Sequence, residues 1–201
     1  MPFPRSPSRI LMIFAMLCLS VTALAADVTR DPEPPVLAAL LNSFLKDGPV
    51  TGTLVIAEQT IAITDKSSGG LTNAKDVKES VAEASTEVIL DFLKVGRQQA
   101  TLRIARAQVN SQLHFLIASR AVLERLERST PETPGAAFKR FYPDSLGLLQ
   151  ISRVGLNAAN NEALVYWQIT CGMLCGSGHI SLMRLHDGVW REAKQEDLWF
   201  R

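Results

Sequence analysis

From Leu148 onward the chain is a succession of β-prone segments cut by turn signals, and this pattern limits its fold more than any other feature. Three segments, about 147–156, 162–170 and 178–186, are separated by Asn157-Ala158-Ala159-Asn160-Asn161 and by a glycine-rich stretch that carries two cysteines. Asp187-Gly188 then leads into a fourth segment, 189–194. Asp-Gly between two β-rich segments is a strong hairpin signal, because the tightest two-residue turns need positive φ at their central positions. The segments read as an antiparallel meander over about 147–194.

Upstream the period is helical. Val36, Leu37, Leu40, Leu41, Phe44 and Leu45 form one apolar stripe that Gly48-Pro49 ends, which predicts a helix over about 35–47. Asn73 is placed to cap a second helix with Asp76 in its first turn. Val77, Val81, Ala84, Val88, Phe92 and Leu93 then share a face before Gly96 stops it. Leu54-Val55-Ile56 and Ile61-Ala62-Ile63 read as one bent strand or two, around Glu58-Gln59-Thr60. Residues 97–110 have no clear period. Leu113, Phe115 and Ile117 alternate as in a strand, and Ser119 can cap a short helix using Val122, Leu123 and Leu126. Helices first and a meander after them predict an α+β fold, with N-terminal helices packed against one face of a C-terminal antiparallel β-meander.

The balance of 21 Lys+Arg against 20 Asp+Glu gives no electrostatic footprint for nucleic acid, and 47% apolar residues is too many for a disordered chain. The first residues carry Arg5 and Arg9 and no acid, then an apolar run from Ile10 to Leu24, then Ala23-Leu24-Ala25-Ala26. A basic start, an apolar core and small residues at an A-x-A site predict a signal peptide over 1–26. A linker over 27–34 and a single α+β domain over 35–201 follow, with no transmembrane segment after cleavage and an exported, periplasmic or secreted, location. Cys18 leaves with the peptide, so Cys171 and Cys175 remain in a compartment that permits a bond between them.

Several motifs occur in a characteristic order: Val88-Ile89-Leu90-Asp91-Phe92-Leu93, Phe141-Tyr142-Pro143-Asp144-Ser145-Leu146-Gly147, Ser152-Arg153-Val154-Gly155-Leu156-Asn157, Ala163-Leu164-Val165-Tyr166, the Cys171-to-Gly178 loop and Gly188-Val189-Trp190. Together they resemble an uncharacterised family of exported bacterial proteins, over roughly residues 54–60 and 88–201. Leu156 stands where that family's pattern has Phe. The resemblance implies an exported single-domain α+β protein and brings no activity and no catalytic residue.

The sharpest local chemistry is Cys171-Gly172-Met173-Leu174-Cys175-Gly176-Ser177-Gly178-His179. Fully extended, the two cysteines lie about 13 Å apart, whereas a three-residue hairpin loop brings facing Cα atoms to about 4.5–5.5 Å. The expected state is a disulfide across a hairpin, stabilising by about 2 kcal/mol through loop-closure entropy. The alternative is a copper- or thiol-handling site in which Cys171, Cys175, His179 and Met173 supply the soft ligands Cu(I) prefers. Sulfurs bonded to each other with His179 pointing away favour the first; sulfurs and imidazole converging on one point favour the second.

His114, His179 and His186 are the candidate bases, and Ser119, Ser177 and Ser181 the candidate nucleophiles. No Gly-x-Ser-x-Gly turn is present and the histidines are scattered, so no catalytic residue is assigned. Trp167 and Trp190 are candidate ligand-stacking residues whose plainer role is packing in the sheet. Arg153 is a candidate carboxylate binder whose plainer partner is an acid on the 162–170 strand such as Glu162. The functional expectation is an exported binding or accessory module without enzymatic activity or cofactor, meeting an unknown protein or small molecule in the cell envelope. Copper is the cofactor of the alternative.

Overall fold

The β-prone segments beyond Ser145 build the C-terminal strands as expected. A computed structural model describes residues 31, 33–46, 48, 50–64, 69–128, 134–172 and 175–201, and Pro32–Arg201 forms one compact unit. The expected signal peptide and most of the expected linker lie outside the described residues. β3 (Ser145–Ile151), β5 (Glu162–Gly172), β6 (Cys175–His186) and β7 (Val189–Phe200) pair antiparallel in that order, and the short β4 (Gly155–Leu156) pairs with β5. Asp187 and Gly188 both take positive φ, 51° and 75°, in the turn between β6 and β7.

The sheet is nevertheless mixed rather than wholly antiparallel. β1 (Thr53–Ala57) and β2 (Phe115–Ala118) extend it past β3, giving the order β2-β1-β3-β5-β6-β7, and β1 runs parallel to both its neighbours. Leu54, Val55 and Ile56 are fully buried, as expected of a parallel strand covered on both faces. Ile61–Ile63 do not join the sheet. Ile61 N–H donates to Ile151 O at 2.9 Å and Ile63 N–H to Gly96 O at 2.7 Å, so the segment bridges a strand and a helix end.

Helices cover both faces, not one. α1 (Glu33–Ser43) begins with two prolines in its first turn, where their missing N–H groups cost nothing. It lays Val36, Leu37, Leu40 and Leu41 against Leu54, Ile56, Leu149, Ile151, Val165 and Trp167. The opposite face carries α2 (Ala74–Ser80) and α3 (Thr86–Val95) over β5 and β6, and α4 (Arg120–Arg128) and α5 (Pro134–Phe141) over β1 and β3. The single helix expected after Asn73 is thus two. Asn73 caps the first as predicted, but Val81 leaves the helical region and the Ser85 side chain accepts Val88 N–H to start a second. A serine that can bond its own downstream backbone competes with helix continuation, and the break still leaves Val77, Val81, Ala84 and Val88 fully buried on the same side.

Tyr166, fully buried on the α3 side, ties the sheet to its last strand: its hydroxyl donates to Gln168 Oε1 at 2.8 Å and accepts from Trp199 Nε1–H at 3.1 Å. Burial pushes the Tyr166 phenol above its ordinary value, with the Trp199 hydrogen bond and the Arg201 charge acting the other way. The folded value lies above the unfolded one, so this group's stabilisation is complete below the unfolded pKa of about 10 and is lost as pH rises toward the folded value. A thermal midpoint that declines above about pH 10, together with a late-ionising tyrosine in the absorbance titration, is the expected result.

Candidate functional site

The α1 side of the last three strands carries a connected polar cluster, and strand register explains it. Trp167 on β5, His179 on β6 and Asp197 on β7 are successive neighbours in one row, flanked by the row Ile169, Ser177, Phe200 and the row Val165, Ser181, Gln195. Directly opposed residues of an antiparallel sheet share a face, so the nine side chains form one patch. β7 reaches this arrangement through two register shifts, between Gly178 and His179 and between Leu182 and Met183 on its β6 partner.

The His179 ring stacks on Trp167 with centroids 4.0 Å apart and planes 23° apart. Its Nδ1 lies 2.6 Å from Asp197 Oδ1 and its Nε2 lies 2.7 Å from Ser177 Oγ. A carboxylate only accepts, so Nδ1 carries the proton in the neutral ring and Nε2 is left to accept from the Ser177 hydroxyl. Gln195 Nε2 approaches the same Asp197 oxygen at 3.4 Å. His179 is 7% exposed, while the Asp197 side chain is 50% exposed and Phe200 68%. The histidine is therefore held from beneath and from both ends, with its carboxylate partner and an aromatic ring open to solvent.

A second chain of bonds runs alongside. Trp167 Nε1–H donates to Ser181 Oγ at 3.0 Å, Ser181 donates to Glu192 Oε1 at 2.8 Å, and Lys46 Nζ meets Glu192 Oε2 at 2.5 Å. Phe44, just past α1, packs edge-on against Trp167 with centroids 4.9 Å apart. Trp167 is thus a core residue at 6% exposure whose single donor is already satisfied, not an open stacking platform.

The other sequence candidates lie elsewhere. Trp190 packs partly buried against the α1 core. Arg153 does not pair with Glu162: its Nη2 lies 3.8 Å from Glu33 Oε2, while Glu162 takes Arg184 and the Ser85 N–H. Glu33, whose other oxygen accepts Val154 N–H, sits at the start of α1 and answers Arg103 as well. This is a clamp between α1 and the β3–β4 connection. His114 and His186 are exposed and join no cluster among the described residues.

Cys171 and Cys175 are joined by a disulfide, with Cα atoms 5.2 Å apart, closing the β5–β6 hairpin one row beyond Ser177. The copper alternative is not assembled here. The two sulfurs are bonded to each other, both His179 nitrogens are engaged by Asp197 and Ser177, and no group of three or more His, Cys, Asp or Glu among the described residues could hold a metal ion. Met173 lies outside the described residues. Gly178 has a packing role: a Cβ there would fall 2.0 Å from Trp199 Nε1, so the missing side chain lets Trp199 lie across β6 toward Tyr166.

The sequence offers His179 as a base beside a serine such as Ser177 or Ser181 but gives no sign of Asp197, Phe200 or Glu192. Alternation along β6 puts Ser177, His179 and Ser181 on one face, which is the part of the cluster that was legible. No helix among the described residues is long and apolar enough to cross a membrane. Compared with known proteins, the chain matches no family model, no curated sequence and no solved structure. What the site does has to follow from its own geometry.

Proposed function

We propose that the protein is an exported binding module of the bacterial envelope that meets its ligand or protein partner at the disulfide-closed end of the sheet. One observation supports this reading most directly: Phe200, 68% exposed, stands beside the hydrogen-bonded group of Ser177, His179 and Asp197. A single exposed aromatic residue is ordinary. An exposed aromatic anchor next to polar groups whose rotamers are already held by neighbours is the composition of a recognition hot spot, because little side-chain freedom is lost on binding. The disulfide and the three-strand pairing keep that patch rigid. Export rests on the basic, apolar and small-residue order of positions 1–26.

Site-specific photo-cross-linking in the native compartment tests this. A photoreactive residue at position 200 is expected to give a discrete adduct, whereas the same residue at Leu90, exposed on α3 on the other side of the sheet, gives none. Equal adducts at both positions, or none at 200, overturn the assignment of the site.

A further inference from the structure

Asp197, His179 and Ser177 form more than a polar patch: they are linked in the order carboxylate, imidazole, hydroxyl, at 2.6 and 2.7 Å, with the carboxylate on Nδ1 and the hydroxyl on Nε2. That is the connectivity by which a buried base activates a serine, and it is recognised by geometry and roles rather than by order in the sequence. The chain order here, Ser177, His179, Asp197, follows from two residues of the same face on one strand and their neighbour on the next. We propose that Ser177 is a nucleophile and that the site transfers the acyl group of small apolar carboxylic esters to water. The proposal rests on the site described above as the binding surface and gives that surface a substrate class.

The parts divide as follows. Ser177 Oγ attacks the ester carbonyl carbon while its proton passes to His179 Nε2. The carbon–oxygen bond to the leaving alcohol breaks, and the alcohol departs with that proton. Water then attacks the acyl-Ser177 carbonyl, giving its own proton to Nε2, and the carboxylic acid leaves as Ser177 regains its proton. Ester and water become acid and alcohol, with no further reactant. Asp197 is a positioning residue that holds the imidazole in the tautomer this needs, and Trp167 stacked beneath the ring at 4.0 Å prevents it from turning away. Phe200 opposes Ser177 across β6 and β7 and supplies the apolar surface for the acyl chain. Ser177 is only half-buried, so an incoming carbonyl reaches its hydroxyl without unfolding the hairpin.

The test uses the full, disulfide-intact protein and an alkyl fluorophosphonate, which forms an oxygen–phosphorus bond at an activated serine with loss of fluoride. Peptide mapping is expected to place the phosphonate on Ser177 alone. Ser177→Ala abolishes labelling and p-nitrophenyl butyrate hydrolysis, and the exposed control His186→Gln leaves both unchanged. Asp197→Asn lowers the maximal labelling rate at least about 100-fold at unchanged half-saturation, the split expected when a base is mispositioned and encounter is intact. A folded wild-type protein that takes up no phosphonate, or takes it up elsewhere, overturns the proposal, and this holds even should the alanine variant fail to fold. Absent labelling with the position-200 cross-link retained removes the nucleophile and leaves the binding surface standing. Labelling of Ser177 without that cross-link does the reverse.

Discussion

Replacing Gly155 by alanine is expected to cost about 3 kcal/mol, near the top of the range for overpacking, and to lower the thermal midpoint by roughly 10 °C. The reason is a contact between backbones. A Cβ at position 155 would lie 2.3 Å from Phe92 Cα, 2.4 Å from Phe92 Cβ and 2.5 Å from Phe92 N. None of these atoms belongs to a side chain tip that can swing aside, so α3 as a whole must lift from β4. Two hydrogen bonds resist that movement, Leu156 N–H to Asp91 Oδ2 at 2.9 Å and Ser85 N–H to Glu162 Oε2 at 3.2 Å. Phe92, fully buried at the centre of the α2–α3 core, would lose its packing as the helix rises. Calorimetry of Gly155→Ala decides the matter: a midpoint within about 2 °C of the wild type would mean that α3 is not held against β4 as described.

Trp167→Ala is the second large effect, about 3–5 kcal/mol by the usual cost of truncating a buried tryptophan. It removes the surface on which Phe44 and His179 both pack and leaves the fully buried Ser181 hydroxyl with Glu192 but without its indole donor. The damage is expected to appear in two places. The thermal midpoint falls by roughly 10 °C or more, and the His179 ring, no longer supported from beneath, loses the orientation that places its nitrogens on Asp197 and Ser177. Histidine nitrogen chemical shifts report the second effect independently of stability. A destabilised variant whose His179 shifts stay at wild-type values would show that the two hydrogen bonds, and not the stacking, hold the ring.

The meander was legible because its signals are local. Asp187-Gly188 needs only its own two dihedral angles to make a turn, and the β-prone runs 162–170 and 178–186, bounded by turn residues, need no knowledge of the rest of the chain. Leu54-Val55-Ile56 and Leu113 to Ile117 read as strands, but their parallel pairing was not legible, because it joins segments far apart in the chain. Nothing in a run as short as Leu54-Val55-Ile56 says which strands will flank it or in which direction they run. The site fell between these cases. Ser177 and His179 share a face by simple alternation, but Asp197 reaches them only because β7 is bulged. Counted in steps of two from Trp190, residue 197 falls on the opposite face; the register shift opposite Leu182 and Met183 reverses the parity and brings Gln195 and Asp197 beside Ser181 and His179. No composition or spacing argument announces a bulge in a strand as polar as Arg191 to Asp197. The disulfide was legible because only two cysteines remain beyond the first 26 residues.

The placement of β1 between β2 and β3 sets an order of events for the chain as it folds. Val55 pairs with Leu116 on one side and Leu148 on the other, so the first strand to be synthesised waits for partners far along the sequence. Hairpins β5–β6 and β6–β7 close within a few residues and pay little loop entropy. Loop entropy therefore favours the meander closing before Leu54-Val55-Ile56 has both of its partner strands. A chain delivered from its N-terminus carries that segment bare for most of its emergence, so the interval before β3 arrives is when it is most open to aggregation and to capture by a folding helper.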